Sequence, residues 1–290
     1  MGRLVRAIEI EPFSRQTGDC RAMEVSKQLT FKSRKRAFNE ITKKSESSRL
    51  TILVLMPVYQ AGRYLDQVLF KLRKMDPQPD RYIFAENNST DRTLEILTRM
   101  RGPKEIIRTW YRADARDSLE TEYDLIGIER ELLLTRARQL SPDLVVFLDS
   151  DIMVHDVDLL NRLAFWKDKV DIVGGSYMRE YAEGLYIGSI WPAPAALATP
   201  QKPFALYRRP QKYPLDDSVA AVGGGCMCLT GRVVQDRRLH FYPVKRDYPF
   251  PVSEDYGFCL QARDYGFKVG LDGTVDLSHW SSDDHSRDKA

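Results

Sequence analysis

Thr51-Ile-Leu-Val-Leu-Met-Pro57-Val-Tyr59 is a continuous apolar run with β-branched members, closed by a proline and an aromatic residue. A strand with one wet face alternates apolar and polar residues; a run that does not alternate reads as a strand covered on both faces. Residues 62–74 then carry Tyr64, Leu65, Val68, Leu69 and Leu72 at helical spacing, and Arg81-Tyr-Ile-Phe-Ala85 reads as a second strand. This strand, helix, strand unit is repeated downstream. The polar stretch Asn87-Asn-Ser-Thr-Asp-Arg-Thr93 can cap a helix over 94–100, and a third strand follows over 106–111. A long helix is expected over 120–140, with Tyr123, Ile126, Arg130, Leu133, Ala137 and Leu140 on one face, then a fourth strand over Leu144–Leu148. The alternation predicts an α/β fold with a mostly parallel, doubly wound sheet and a ligand crevice at the carboxyl ends of its strands.

With 290 residues, 43% hydrophobic and 29% charged, the chain can bury a full core, which excludes collagen, a coiled coil and wholesale disorder. No apolar run approaches the ~18 residues of a membrane-spanning helix. The start lacks both the apolar segment of a secretory signal and, with Arg6 at the sixth position, the myristoylation pattern. Cys20, Cys226, Cys228 and Cys259 make neither a disulfide framework nor a zinc ligand set, so reduced thiols in a cytoplasmic protein are expected. Charge is unevenly spread. Residues 1–50 hold 12 Lys and Arg against 6 Asp and Glu, a net of +6, so residues 51–290 net −3. This basic leader reads as a solvated, flexible or partly helical arm, with peripheral contact to an anionic membrane as its alternative.

The chemistry should lie at the strand ends. Asp149-Ser150-Asp151 directly follows Leu148, and two carboxylates so placed suit Mg²⁺ or Mn²⁺. No Gly-x-Gly-x-x-Gly follows the first strand and no Gly-Lys-Ser/Thr loop occurs, so neither a dinucleotide site nor a P-loop is expected. A second acidic pair, Glu254-Asp255, opens a helix running to Arg263, where the helix dipole favours it. Two short strands end the pattern, with His279 at the far edge. Gly223-Gly224-Gly225 reads as part of a strand or as a buried turn between packed strands, and Trp110-Tyr111 and Gly174-Gly175 read as packing. Residues 177–214, rich in aromatics and proline, read as a loop covering the site.

In order and spacing, from about Thr51 to Trp280, these motifs resemble the nucleotide-sugar-dependent glycosyltransferases of GT-A fold, family 2 type. The carriers are Pro57-Val-Tyr59, Glu86-Asn-Asn-Ser-Thr-Asp-Arg-Thr93 in place of the family's Asp-Asp-Gly-Ser-Thr-Asp-x-Thr, Leu148-Asp-Ser-Asp151, the three glycines, Glu254-Asp255 and His279. The resemblance implies one domain over 51–280, with a nucleotide half over 51–151 and an acceptor and catalytic half over 152–280, flanked by the leader over 1–50 and a polar tail over 281–290. It implies that Pro57, Val58, Tyr59 and Asn88 border the nucleobase, and that Glu86 accepts a base N–H of uracil or guanine. Arg130 would face the diphosphate, and Asp149 and Ser150 the ribose or metal side. Asp151 would bind Mn²⁺ or Mg²⁺, with Asp149 beside it and His279 completing the set. Asp255 would be the base, with Glu254 capping the helix or holding the acceptor, and Gly224 and Gly225 would meet the acceptor. Trp191 is expected to do so on different grounds, because it lies in the aromatic stretch 177–214, the least family-like part, and aromatic faces suit sugar rings.

The implied reaction is metal-dependent, inverting transfer of a sugar from a UDP- or GDP-linked donor to a hydroxyl of a glycan, a lipid-linked or a small-molecule acceptor. A nucleic acid partner is not expected. The alternatives are a retaining mannosyltransferase of the same fold, suggested by Thr135-Arg-Ala-Arg138, and a non-catalytic nucleotide-sugar-binding module. Intact Asp149, Asp151, Asp255 and His279 argue against the module. A sugar-1-phosphate nucleotidyltransferase would need a Gly-rich, Arg- and Lys-bearing loop where Tyr59-Gln-Ala-Gly-Arg63 stands.

Overall fold

Strand β1 (Ile52–Val58) is apolar throughout because helices cover both of its faces. Leu53 and Leu55 enter one core; Ile52, Val54, Met56 and Val58 enter the other. The structure, a computed structural model, describes residues 49–110, 119–182, 185–188, 190–192, 206–207, 215–242 and 252–280. The expected tail, and the expected leader up to residue 48, lie outside the described residues. From β1 the chain runs through α1 (Leu65–Leu72), β2 (Arg81–Asn87), α2 (Thr93–Arg99), β3 (Lys104–Thr109), α3 (Leu119–Leu140) and β4 (Leu144–Leu148). There follow β5 (Ile152–Val154), α4 (Leu159–Phe165), β6 (Ile172–Gly175), β7 (Met178–Ala182), β8 (Leu185–Gly188), β9 (Ile190–Pro192) and β10 (Leu206–Tyr207). The last elements are β11 (Val219–Val222), β12 (Cys226–Thr230), α5 (Gly231–Gln235), α6 (Glu254–Asp264), β13 (Val269–Asp272) and β14 (Leu277–His279).

Seven strands form the central sheet in the order β13-β6-β12-β4-β1-β2-β3. All run parallel except β12, which is antiparallel to both of its neighbours, β4 and β6. The expected doubly wound, mostly parallel sheet is thus present, with helices on both faces. Apolar residues of α1, α2 and α4 cover one side, and Leu133, Leu134 and Ala137 of α3 with residues of α5 and α6 cover the other. Phe241 anchors α6 to the sheet. Its ring lies edge-on to Phe147 of β4 at 5.0 Å and stacks on Phe258 of α6 at 4.2 Å. Such aromatic contacts add to the area they bury and fix the position of the α6 N-terminus.

One expectation is corrected here and one alternative decided. The stretch 177–214 is not a plain loop: β7, β8 and β10 pair as a small antiparallel sheet, and β9 pairs with β11. Its prolines did not forbid this, because Pro192 ends a strand bonded on one side only. Gly223, Gly224 and Gly225 form the turn that leads from β11 into β12 of the central sheet, the alternative to a strand there. Cys226, Cys228 and Cys259 are free and buried, and burial pushes the Cys226 and Cys259 thiols up to about 12. Among the described residues no helix is long and apolar enough to cross a membrane.

Candidate active site

The polar motif after β2 holds the loop after β1. The Gln60 N–H donates to Ser89 Oγ (3.0 Å), that of Ala61 to Thr93 Oγ1 (2.8 Å) and that of Gly62 to Asp91 Oδ2 (2.8 Å). Asn88 stands where the resembling family carries glycine, and it adopts φ +45°. Asparagine is one of the few side-chain-bearing residues that tolerates this left-handed region, so the Gly-to-Asn departure leaves the turn intact. Glu86 is buried at the centre of the motif. Its Oε1 accepts the Ser89 N–H at 2.6 Å and its Oε2 faces Arg108 Nε at 3.3 Å. One oxygen of Glu86 thus serves the loop and the other meets Arg108 of β3, and Glu86 does not line the cleft described below. Arg108 also lies over the Trp110 ring, 5.2 Å from its centroid, and Trp110 is 65% exposed rather than packed inside.

A cleft of about 430 Å³ opens at the carboxyl ends of β1 and β4. Pro57, Val58, Tyr59, Asp149, Ser150 and Asp151 line it, as the sequence suggested, together with Tyr64, Leu125, Ile126 and Glu129. Tyr64, whose spacing matches the core positions of α1, serves the cleft instead. Its hydroxyl hydrogen-bonds Ser150, and its ring lies 4.5 Å from that of Trp280. Burial, then the charge of Asp151, raises the Tyr64 phenol above its usual range. Pairing of β5 with β14 sets His279 opposite Ile152, and this brings His279 Nε2 to 3.2 Å from Asp151 Oδ2. The two residues are 128 positions apart in the chain, yet the register of one short hairpin-like pair joins them.

Arg130 is not at the cleft surface. It is 2% exposed, donating through Nη2 to both oxygens of Asp149 (2.7 and 2.8 Å) and through Nη1 to Glu254 Oε1. The expected contact with a diphosphate is not what the geometry shows: the two terminal nitrogens serve Asp149 and Glu254, and the side chain does not line the cleft. Asp149 is raised by burial, with Arg130 pulling the other way. Next to it, Asp255 Oδ2 accepts the Gly224 N–H at 2.7 Å, and Oδ1 accepts Ser253 Oγ (2.6 Å) and the Tyr256 N–H (2.7 Å). Gly225 donates to the Tyr177 hydroxyl at 3.0 Å, and its carbonyl accepts the Asp149 N–H at 3.0 Å. Both glycines face protein groups, so the space beside them is not an approach for a sugar. Trp191 lies in β9, and its side chain is outside the described residues.

Burial, reinforced by the charge of Asp255, pushes the Glu254 carboxyl up to about 8. A raised folded-state value means that the folded chain keeps a proton the unfolded chain has released. Stability is therefore lost as pH rises from the unfolded value of ~4.3 through about 8. The thermal midpoint of the wild type should fall across that window more than that of Glu254→Gln, whose amide does not titrate. Parallel curves would mean that Arg130 keeps Glu254 ionised throughout.

Residues 53–114 match the family described as Glycosyl transferase family 2. No curated protein sequence matches the chain significantly. Among solved structures, A197 from STIV is similar at 13% identity and TM-score 0.46, covering 80% of this chain and 87% of that one. S. aureus TarS 1-349 is similar at 16% identity and TM-score 0.49, covering 82% of this chain and 63% of that one. The same protein in complex with UDP-GlcNAc gives 16% identity and TM-score 0.48, covering 79% and 58%. This chain thus spans less than two thirds of both TarS structures, and these likenesses are too distant to transfer a function. The family match thus covers β1 to β3, three adjacent strands of a mostly parallel sheet in which only β12 runs antiparallel.

Proposed function

We propose that the chain moves a glycosyl unit from a nucleoside diphosphate sugar to an acceptor hydroxyl, with a divalent cation held by Asp151 and His279 and inversion at the anomeric carbon. The observation that carries this reading is the charge of the cleft. Its described lining includes three carboxylates, Glu129, Asp149 and Asp151, and neither Lys nor Arg. A bare diphosphate would meet like charge there, whereas a bound divalent cation inverts the local sign.

The donor set fits such an ion. Asp151 Oδ2 and His279 Nε2 lie 3.2 Å apart, close to the ~3 Å between neighbouring ligands on an ion with bonds of ~2.1 Å. No group of three or more His, Cys, Asp and Glu gathers for a metal among the described residues. Two protein ligands suffice for Mg²⁺ or Mn²⁺, which keep waters and take phosphate oxygens. When bound, the cation would neutralise charge gathering on the departing diphosphate.

Tyr59, Pro57 and Val58 offer an apolar wall to the nucleobase, and Tyr64 holds Ser150 beside Asp151. Asp255 receives the proton of the attacking hydroxyl. Three donors already meet its two oxygens, which leaves one of about four lone-pair directions for the acceptor.

Titration of UDP and GDP by calorimetry, with Mn²⁺ and with chelator, tests the metal. Wild type should bind more tightly with Mn²⁺ than with chelator, and Asp151→Asn, which removes one anionic oxygen ligand, should lose most of that difference. Affinity indifferent to chelator in both proteins would remove the metal. Product anomer analysis tests the stereochemistry, since retention would remove Asp255 as the base of a single displacement.

A further inference from the structure

Arg130 is the largest fully buried side chain of the described core, and it does not itself line the cleft. A cation is costly to bury, and glycines on two segments make room around this one. On the β11–β12 turn, a Cβ at Gly224 would lie 2.3 Å from the guanidinium carbon. One turn before Arg130 on α3, a Cβ at Gly127 would meet Glu254 Cβ at 3.2 Å and the Phe241 carbonyl oxygen at 3.0 Å. Neither glycine has a positive φ, so what each supplies is room.

The contacts close into a ring. Arg130 holds Asp149 through one nitrogen and Glu254 through another. Glu254 is followed in the chain by Asp255, which holds the Gly224 N–H, and Gly225 accepts the N–H of Asp149. Thus the end of β4, the glycine turn and the first residues of α6 are fixed to one another around a single guanidinium.

We propose that Arg130 is a positioning residue for glycosyl transfer: it sets the distance between the donor-side turn at Asp149 and the base Asp255, and Gly224 is glycine to admit it. This rests on the transferase reading above. Lysine cannot replace it, because a point-charge ammonium cannot fork to two carboxylates at fixed angles. A displacement of about 1 Å between reacting groups costs on the order of 10²-fold in rate. The bracket therefore acts on the chemical step rather than on donor binding.

The test uses the full chain and the variants Arg130→Lys, Glu254→Ala, their double, and Gly224→Ala both alone and combined with Arg130→Lys. Measured are kcat, donor KM, nucleotide Kd and thermal midpoint, with rates taken well below each midpoint. Arg130→Lys should lower kcat by ~10² while nucleotide Kd stays within about threefold. Adding Glu254→Ala to it should cost little more, since residues acting as one unit are not additive. Gly224→Ala should lower kcat in the wild-type background and far less beside Arg130→Lys, whose narrower head leaves the slot open.

Wild-type kcat in Arg130→Lys, a loss confined to donor KM, recovery of kcat on cooling, or multiplying effects in the double variant would each overturn the proposal. A wild type that transfers no sugar from UDP- or GDP-linked donors would instead remove the transferase reading. The ring itself is then read from the same cycle on thermal midpoints, where additive shifts overturn it.

Discussion

Asp255→Asn is expected to lower kcat by a factor of ~10² to 10⁴, the usual range for general acid–base catalysis, while nucleotide affinity changes little. The asparagine keeps the size of the side chain, and its carbonyl can still accept the two donors that meet Oδ1 of Asp255, from Ser253 and Tyr256. What it loses is the ability to take a proton. The cleft proposed for the nucleotide, bordered by Pro57, Val58, Tyr59 and Tyr64, does not include Asp255 in its lining. Glu254→Gln should cost less, because Glu254 is buried against Arg130 and accepts from it with an oxygen that an amide also provides. Equal transfer rates for Asp255→Asn and wild type at saturating donor and acceptor would remove Asp255 from the chemistry. Loss of nucleotide binding would assign it to the donor half.

Arg130→Leu should destabilise the fold by ~3–5 kcal/mol, the range for breaking a buried ion pair by removing one partner. Leucine fills part of the volume and satisfies no carboxylate. Asp149, with only 22% of its side chain exposed, and Glu254, with 2%, would then share one low-dielectric site with Asp255 close by. For a domain of this size the thermal midpoint should drop by on the order of 10 °C. The loss should ease as pH falls and the two carboxyls take up protons, as burial already inclines both to do. A midpoint within a degree or two of wild type would show that the carboxyls neutralise themselves without the guanidinium.

Nothing in the sequence foretells that loss, though the fold is legible there. β1 and β4 announce themselves as strands because both faces of each are apolar, a property carried by every residue of the run. The helix over Leu119–Leu140 follows from spacing within one segment, and its expected start at 120 misses by one residue. The rule that ligands gather at the carboxyl ends of parallel strands places Asp149-Ser150-Asp151, and the cleft lies there. All of these depend on local periodicity or on topology that periodicity dictates.

Contacts between distant segments have no such signature. Arg130 sits at a core position of its helix, and the spacing says only that it faces inward. That it meets Asp149, 19 residues on, and Glu254, 124 residues on, was decided when β4 and α6 packed against α3. Glu86 shows the same limit: its place after β2 was legible, but Arg108 became its partner only through the β2–β3 register. Gly224 looked like an approach for a ligand because a glycine reports space without naming its occupant. Sequence by itself determined which segments are strands and helices and where the crevice opens, since burial on a face recurs at the period of the backbone. Tertiary structure alone decided which charges neutralise one another, because a buried ion must find its partner in whatever segment the fold brings within hydrogen-bond reach.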